Sequence, residues 1–331
     1  MSVNIRRAAL ARSALLTAAL LGAATLPAYA QNTYPQRPIK MIVPMPPGGG
    51  TDTISRIIAD SLLQKHGWTV VIENKPGATG NIGMASLAKS APDAYTIGMG
   101  QAANLAINPW LYSSMPFDPV KDFTPIVLVA SQPVVLVVRG DSPHKTVDDL
   151  LKAAKARSGA VKMASSGAGT IGHMSGELLG RKAGVKFLHV PYKGAGQALT
   201  DLMGGQTDFF FSVPQAAYPM IRTGKLRALA VSSPQRLAAL PAVPTVAESG
   251  FPGFESSAWT GLVAPAGVSL QIVNQINARV QATLKDPHIV KKLQEEGSEP
   301  LGGSPAHFAR FIQDEGKKWG DLVRVAGIKL E

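Results

Sequence analysis

Three stretches hold the residue types that could do chemistry in this chain. They are Pro46-Pro47-Gly48-Gly49-Gly50-Thr51-Asp52, then Ser165-Ser166-Gly167-Ala168-Gly169-Thr170-Ile171-Gly172-His173, then Pro191-Tyr192-Lys193-Gly194-Ala195-Gly196-Gln197. Each follows a short apolar run and opens a helix-like one. Such a junction presents the free backbone N–H groups of a helix start to an anion. Glycine lets the main chain approach a ligand closely, and Thr51 or Asp52 could cap the helix. Ligand contact and a plain tight turn are both open readings of the first stretch.

Several chemistries can be set aside from residue type alone. The first stretch lacks the lysine with which a phosphate loop reaches its nucleotide. The second matches G-x-G-x-x-G at Gly167, Gly169 and Gly172, but no acid ends the next apolar run, Lys186–Val190, to hold a ribose. His173 and Glu177 are four apart and share a helix face, as a base or metal pair would, or as a packed histidine with its partner. No third ligand stands out, so neither metal nor cofactor is expected. Ser165 and Ser166 lack the Gly-x-Ser-x-Gly elbow of a hydrolase nucleophile. Asp208, after Gly204-Gly205, could cap its turn or reach a cleft. Lys193 could pair with an acid or be solvated, and Trp110 and Trp259 read as core or as cleft wall.

The elements that must position these residues alternate. Strands are expected at Ile39–Val43, Trp68–Ile72 and Tyr95–Met99, with helices at Thr53–His66 and Asn81–Lys89 between them. Two close apolar runs, Ile126–Ala130 and Val134–Val138, read as a crossover. The alternation then restarts, with strands at Val161–Ala164, Lys186–Val190, Thr207–Phe211 and Lys225–Val231. A strand at Ser257–Ala264 and helices at Ser269–Leu284, Pro287–Glu295 and Pro305–Val325 close the chain. Strand–helix alternation predicts parallel sheets covered by helices, with ligands beyond the C-terminal strand ends. The loops at Pro46–Asp52, Pro76–Gly80 and Gly100–Asn104 then share one edge.

With 331 residues the chain has ample material for a core. The first thirty residues read as an export leader. Arg6, Arg7 and Arg12 precede an apolar run of about 13 residues, too short to span a bilayer comfortably. Ala28-Tyr29-Ala30 is a small-x-small cleavage site, which predicts a mature start at Gln31. The net charge is +11, or +8 without the three leader arginines. It favours anionic partners, but the basic residues are scattered without interleaved aromatics, so nucleic acid is not expected as a partner. The absence of cysteine excludes disulfides and thiolate metal sites.

A family resemblance covers the whole chain after the leader. It is carried by Tyr34-Pro35-x-Arg37-Pro38, the first glycine turn, Glu73-Asn74-Lys75-Pro76-Gly77-Ala78-x-Gly80-Asn81-Ile82-Gly83 and Ile107-Asn108-Pro109-x-Leu111-Tyr112. Phe117-Asp118-Pro119-Val120-Lys121-Asp122-Phe123, Val190-Pro191-Tyr192-Lys193-Gly194, Asp201-Leu202-Met203-Gly204-Gly205 and Ala264-Pro265-Ala266-Gly267 extend it. The chain resembles a Bug-type solute receptor of the tripartite tricarboxylate transporter system. Met45, Ala94 and Phe209-Phe210-Phe211 depart from the pattern.

The resemblance implies a two-lobed, type II-like periplasmic binding protein, each lobe a mixed, mostly parallel sheet flanked by helices. One lobe is expected from 32–130 and 256–331 and the other from 131–255, with hinge strands near 126–138 and 256–264. It implies a monomeric, non-catalytic receptor that closes on a small mono-, di- or tricarboxylate and delivers it to inner-membrane permease subunits. The ligand-binding residues it implies are Gly48, Gly49, Gly50, Thr51 and Asp52 on one side, and Ser165, Ser166, Gly169, Thr170 and His173 on the other. Asp208 matches an acidic residue that can face the ligand, and Asn81 and Asn104 lie on loops at the cleft edge. The alternatives are an exported serine hydrolase using Ser165 or Ser166 with His173, and a receptor that presents its ligand to a signalling partner.

Overall fold

The structure, a computed structural model, describes residues 34–327. The expected leader and its cleavage site lie outside the described residues. Of the described residues, Tyr34–Gln36 belong to a separate unit, and the fold below is that of the body from Arg37 on.

The chain runs β1 (Ile39–Val43), α1 (Gly50–His66), β2 (Val70–Asn74), α2 (Asn81–Ala88) and β3 (Thr96–Gln101). A short α3 (Asn108–Leu111) precedes β4 (Phe123–Pro133) and β5 (Val135–Arg139). Next come α4 (Val147–Ala156), β6 (Lys162–Ser165), α5 (Ile171–Ala183), β7 (Leu188–Pro191), α6 (Ala195–Met203), β8 (Phe209–Ser212), α7 (Pro214–Arg222) and β9 (Leu226–Val231). The chain ends with β10 (Ser257–Pro265), α8 (Leu270–Leu284), α9 (Pro287–Glu295), β11 (Glu299–Gly302) and α10 (Pro305–Ala326).

The strands form two mixed sheets, in the orders β11-β4-β10-β3-β1-β2 and β7-β6-β8-β5-β9. Within them β1 pairs in parallel with β2 and β3, and β6 with β7 and β8. The antiparallel pairs gather where β4, β5 and β10 enter. The predicted crossover is therefore two strands in different sheets, separated by Val134 alone. Val134 is wholly buried, and its N–H donates to Ser232 Oγ at 2.8 Å.

Side-chain alternation explains why both faces of the second sheet are covered. On β8, Phe209 and Phe211 face a cluster with Leu136, Val138, Met163 and Leu179, while Phe210 faces the other side with Val135, Ala164 and Leu199. Burying a phenylalanine stabilises by about 1.5–3 kcal/mol, so this triple is core. Helix α1 buries Ile54, Ile58 and Leu62 at helical spacing and ends at Gly67, whose left-handed φ of 67° closes the last turn onto Leu62 and Leu63. Strand β11 is absent from the sequence expectation. Its four residues include Pro300 and show no alternation, and its place comes from pairing with β4.

Candidate functional site

A cavity of about 540 Å³ lies where the C-terminal ends of the parallel strands of both sheets meet. Gly48, Gly49, Gly50 and Thr51 form one wall, and Ser166, Thr170 and the turn from Lys193 to Gln197 form another. Its floor follows from strand register. Thr260 of β10 lies opposite Gln101, and Ala258 opposite Gln132. Directly opposed residues share a sheet face, and Ala258 and Thr260 alternate onto the same one. Gln101, Gln132 and Thr260 are thus brought together beneath the start of α1.

Helix starts dominate this cavity. The first turns of α1, α5, α6 and α7 all line it. None of the four has a side-chain cap: the residues before them are Gly49, Thr170, Gly194 and Val213. Thr170 has the right hydroxyl, but that hydroxyl donates back to the Gly167 carbonyl at 2.7 Å. The helices that start elsewhere, α4, α8, α9 and α10, are capped by Thr146, Ser269, Asp286 and Ser304. Helix α2, behind Gly80, and the single turn α3, behind Ile107, are uncapped without lining the cavity. Lys193 is the one ionisable side chain of the lining among the described residues, and no carboxylate side chain faces in.

The residues implied for ligand contact separate into two groups. Gly48, Gly49, Gly50, Thr51, Ser166 and Thr170 line the cavity. Asp52, Asn81, Asn104, Ser165, Gly169, His173 and Asp208 do not, and each has a structural occupation. The Asp52 carboxylate is nearly buried and saturated: it accepts from Gly48 N–H at 2.9 Å, Arg56 Nε at 2.9 Å and Asn74 Nδ2 at 2.9 Å. Burial opposes its charge, but the Arg56, Gly48 and Asn74 hydrogen bonds prevail and hold its pKa below the usual carboxylate value. It fastens the glycine turn from behind. Asn104 Oδ1 accepts from Gln101 N–H at 3.0 Å, and Asn81 Oδ1 accepts from Asn108 Nδ2 at 2.8 Å. Asp208 accepts from Lys162 N–H at the opposite end of the sheet. By register it is level with Lys162, three residues or about 10 Å from Ser165.

Ser165 and His173 belong to a buttress behind the second turn. Ser165 is fully buried, and its hydroxyl lies 2.7 Å from His189 Nε2. The His189 and His173 rings stack, with centroids 3.8 Å apart and planes 12° from parallel. His173 Nδ1 accepts from Gly169 N–H at 3.2 Å, which leaves Nε2 facing Glu177 at 3.6 Å. Burial, with a smaller push from His173, lowers the His189 pKa to about 3, so the ring is neutral. Neither pairing expected of a hydrolase, Ser165 or Ser166 with His173, is among the hydrogen bonds of the described residues. The Ser165–His189 contact that replaces them is closed off from the cavity.

The turn after β2 also meets the turn after β6. Gly77, Ala78, Thr79 and Gly80 all have positive φ, at 127°, 46°, 52° and 93°. For Ala78 and Thr79 this costs on the order of 1–3 kcal/mol each. The turn carries the Thr79 hydroxyl across to the Ala168 carbonyl at 2.8 Å. Beside it, a Cβ on Gly169 would stand 2.6 Å from Asn108 Oδ1 and 2.9 Å from Leu111, so only glycine fits. Gln101, Gln132, Gln215, Thr260 and Thr79 are absent from the sequence expectation. The signal available was a glutamine or threonine within otherwise buried strands, at Gln132 and Thr260.

Residues 54–328 match the profile of a family described as the tripartite tricarboxylate transporter family receptor. The chain is 38% identical over 301 residues to protein BugT of Bordetella pertussis, covering 91% of this chain and 92% of that one. Among solved structures it resembles Rpa4515 of R. palustris with adipate, at 36% identity and a TM-score of 0.86, covering 89% and 99% of the two chains. It also resembles MatC of Rhodopseudomonas palustris with bound malate, at 32% identity and a TM-score of 0.81, covering 88% and 100%.

Proposed function

The chain belongs to the receptor family of the tripartite tricarboxylate transporters, and on that premise we propose that it is a periplasmic receptor that captures a small organic acid for a membrane transporter. One observation carries the chemistry: four uncapped helix starts converge on one cavity that no carboxylate side chain of the described residues enters. Each helix start holds unsatisfied N–H donors and a partial positive charge of about half a unit. Three of the four offer the full set, since Pro214 at the first position of α7 lacks an N–H. A carboxylate supplies the missing acceptors. A hydrogen bond to a charged group contributes about 1.5–3 kcal/mol, so a few of them reach the roughly 8 kcal/mol of micromolar binding.

In this reading Gly48, Gly49, Gly50, Thr51, Ser166 and Thr170 contact the ligand. Asp52 and the Ser165–His189–His173 stack hold the two turns in shape without touching it. Within the body from Arg37 on, the described residues up to 130 and from 256 onward form one lobe and 131–255 the other, and β4, β5 and β10 act as the hinge. The partner is a set of inner-membrane permease subunits, the receptor acts as a monomer, and a leader is removed after Ala30. The acids in the solved relatives, adipate and malate, support the ligand class. A receptor without catalysis is supported by the burial of Ser165 and its separation from the cavity.

The test is a thermal-shift screen of the purified protein against mono-, di- and tricarboxylates. At least one acid is expected to raise the melting temperature in a dose-dependent way. A flat response to all three classes would sink the reading.

A further inference from the structure

We propose that the floor of the cavity reads a hydroxyl group on the ligand, so that the receptor selects a 2-hydroxycarboxylate over the same acid without its hydroxyl. The inference rests on the carboxylate reading above and deepens it.

Two glutamine side chains set up the floor. Gln215 Nε2 donates to the Glu296 carbonyl, which can only accept, so the orientation of this amide is fixed. Gln132 Nε2 donates to Ser298 Oγ at 2.6 Å. Both amides bring their carbonyl oxygens close to Gly50, where Gln132 Nε2 also stands 3.1 Å from the position of a Cβ. A Cβ on Gly50 would stand 2.5 Å from Gln132 Oε1 and 3.1 Å from Gln215 Oε1. Gln215 Oε1 is buried and receives no hydrogen bond, and neither does Oγ1 of Thr260, which is 2% exposed. Buried polar atoms are nearly always paired. Two unpaired ones on residues that line the same cavity mark where a bound group completes the set.

The chemistry of that group follows from its surroundings. The donors of the α1 first turn suit a carboxylate, and the amide acceptors stand immediately beside them. A ligand that fits both carries its carboxylate and a hydrogen-bond donor on adjacent atoms. Hydroxyl and ammonium are the two simple choices. An ammonium would meet four positive helix ends and Lys193, with no carboxylate side chain to pair it. A hydroxyl carries no charge. It can donate to a glutamine carbonyl or accept from the Thr260 hydroxyl.

The experiment is calorimetric titration of the purified receptor with matched acids: lactate against propionate, malate against succinate, and citrate against tricarballylate, with aspartate as the ammonium counterpart of malate. In whichever pair binds, the hydroxy acid is expected to bind at least about tenfold tighter than its partner, and malate tighter than aspartate. Thr260→Val, which keeps shape and removes only the hydroxyl, is expected to pull the ratio toward one. Gln215→Leu is a second variant with the same expectation, and unliganded melting temperatures check that both fold. Equal affinities within every binding pair overturn the proposal while the carboxylate reading stands; water alone then completes the floor. Tighter aspartate than malate, or a ratio unmoved in both variants, overturns it as well. If no acid in the series binds, the carboxylate reading itself falls.

Discussion

At the scale of single residues, the site divides between groups that face the cavity and groups that hold those in place. Asp52 is the clearest of the second kind. Asp52→Asn is expected to lower stability by about 1–3 kcal/mol, the range for losing charged hydrogen bonds at a buried group. Its pH signature has a definite sign. The folded pKa lies below the unfolded value of 3.8, so the contribution is complete above about pH 4 and fades as pH falls through the folded pKa. Urea unfolding of the wild type and the variant should therefore converge only in strong acid. His189 acts in a higher window. Its pKa falls from 6.5 unfolded to about 3 folded, so the unfolded chain binds the extra proton between those values. Stability is complete above pH 6.5 and declines below it, by at most about 1.4 kcal/mol per pH unit. His189→Asn should flatten that part of the profile. Gly50→Ala tests the first kind of residue. Its Cβ would strike Gln132 and Gln215, and overpacking of about 1–3 kcal/mol is expected to weaken acid binding about tenfold. A titration with unchanged affinity would mean that the ligand does not sit there.

At the scale of elements, capping separates scaffold from site. Thr146 closes a reciprocal capping box with Asp149 at the start of α4. Thr146→Ala is expected to cost about 1 kcal/mol of stability and to leave ligand affinity unchanged, since α4 starts away from the cavity. A shift in affinity with that variant would undo the distinction. The helices, the parallel strands and the glycine turns were legible in the sequence because each is written in local terms: apolar spacing, turn residues, helix starts. The floor was not. Gln101, Gln132 and Thr260 are distant in sequence, and only the register of β10 against β3 and β4 puts them on one face. The expected contacts that do not line the cavity have a common feature. Asp52, Asn81, Asn104 and Asp208 are polar residues beside the right loops, and sequence position cannot tell a side chain that faces a ligand from one that fastens a loop. Strand β11 escaped notice because its pairing is nonlocal.

At the scale of the molecule, the Thr79–Ala168 hydrogen bond ties the two sheets on a side where no cavity-lining residue takes part. If closure depends on it, Thr79→Val should weaken every acid by the same factor, about two- to tenfold for one hydrogen bond of 0.5–1.5 kcal/mol. A loss confined to one ligand would instead place Thr79 in the cavity. The uncapped helix starts have a consequence of a different kind. Amide protons without an acceptor trade readily with deuterium from the solvent, whereas those held by a partner do so only when the structure opens. In the empty receptor, the first turns of α1, α5 and α6 should therefore take up the isotope quickly even though they belong to well-packed helices. An occupied receptor should slow all three together, although they lie far apart along the chain, and the starts of α8, α9 and α10 should not respond. The molecule thus carries its own occupancy gauge, readable peptide by peptide in a mass spectrometer without knowing which acid is bound.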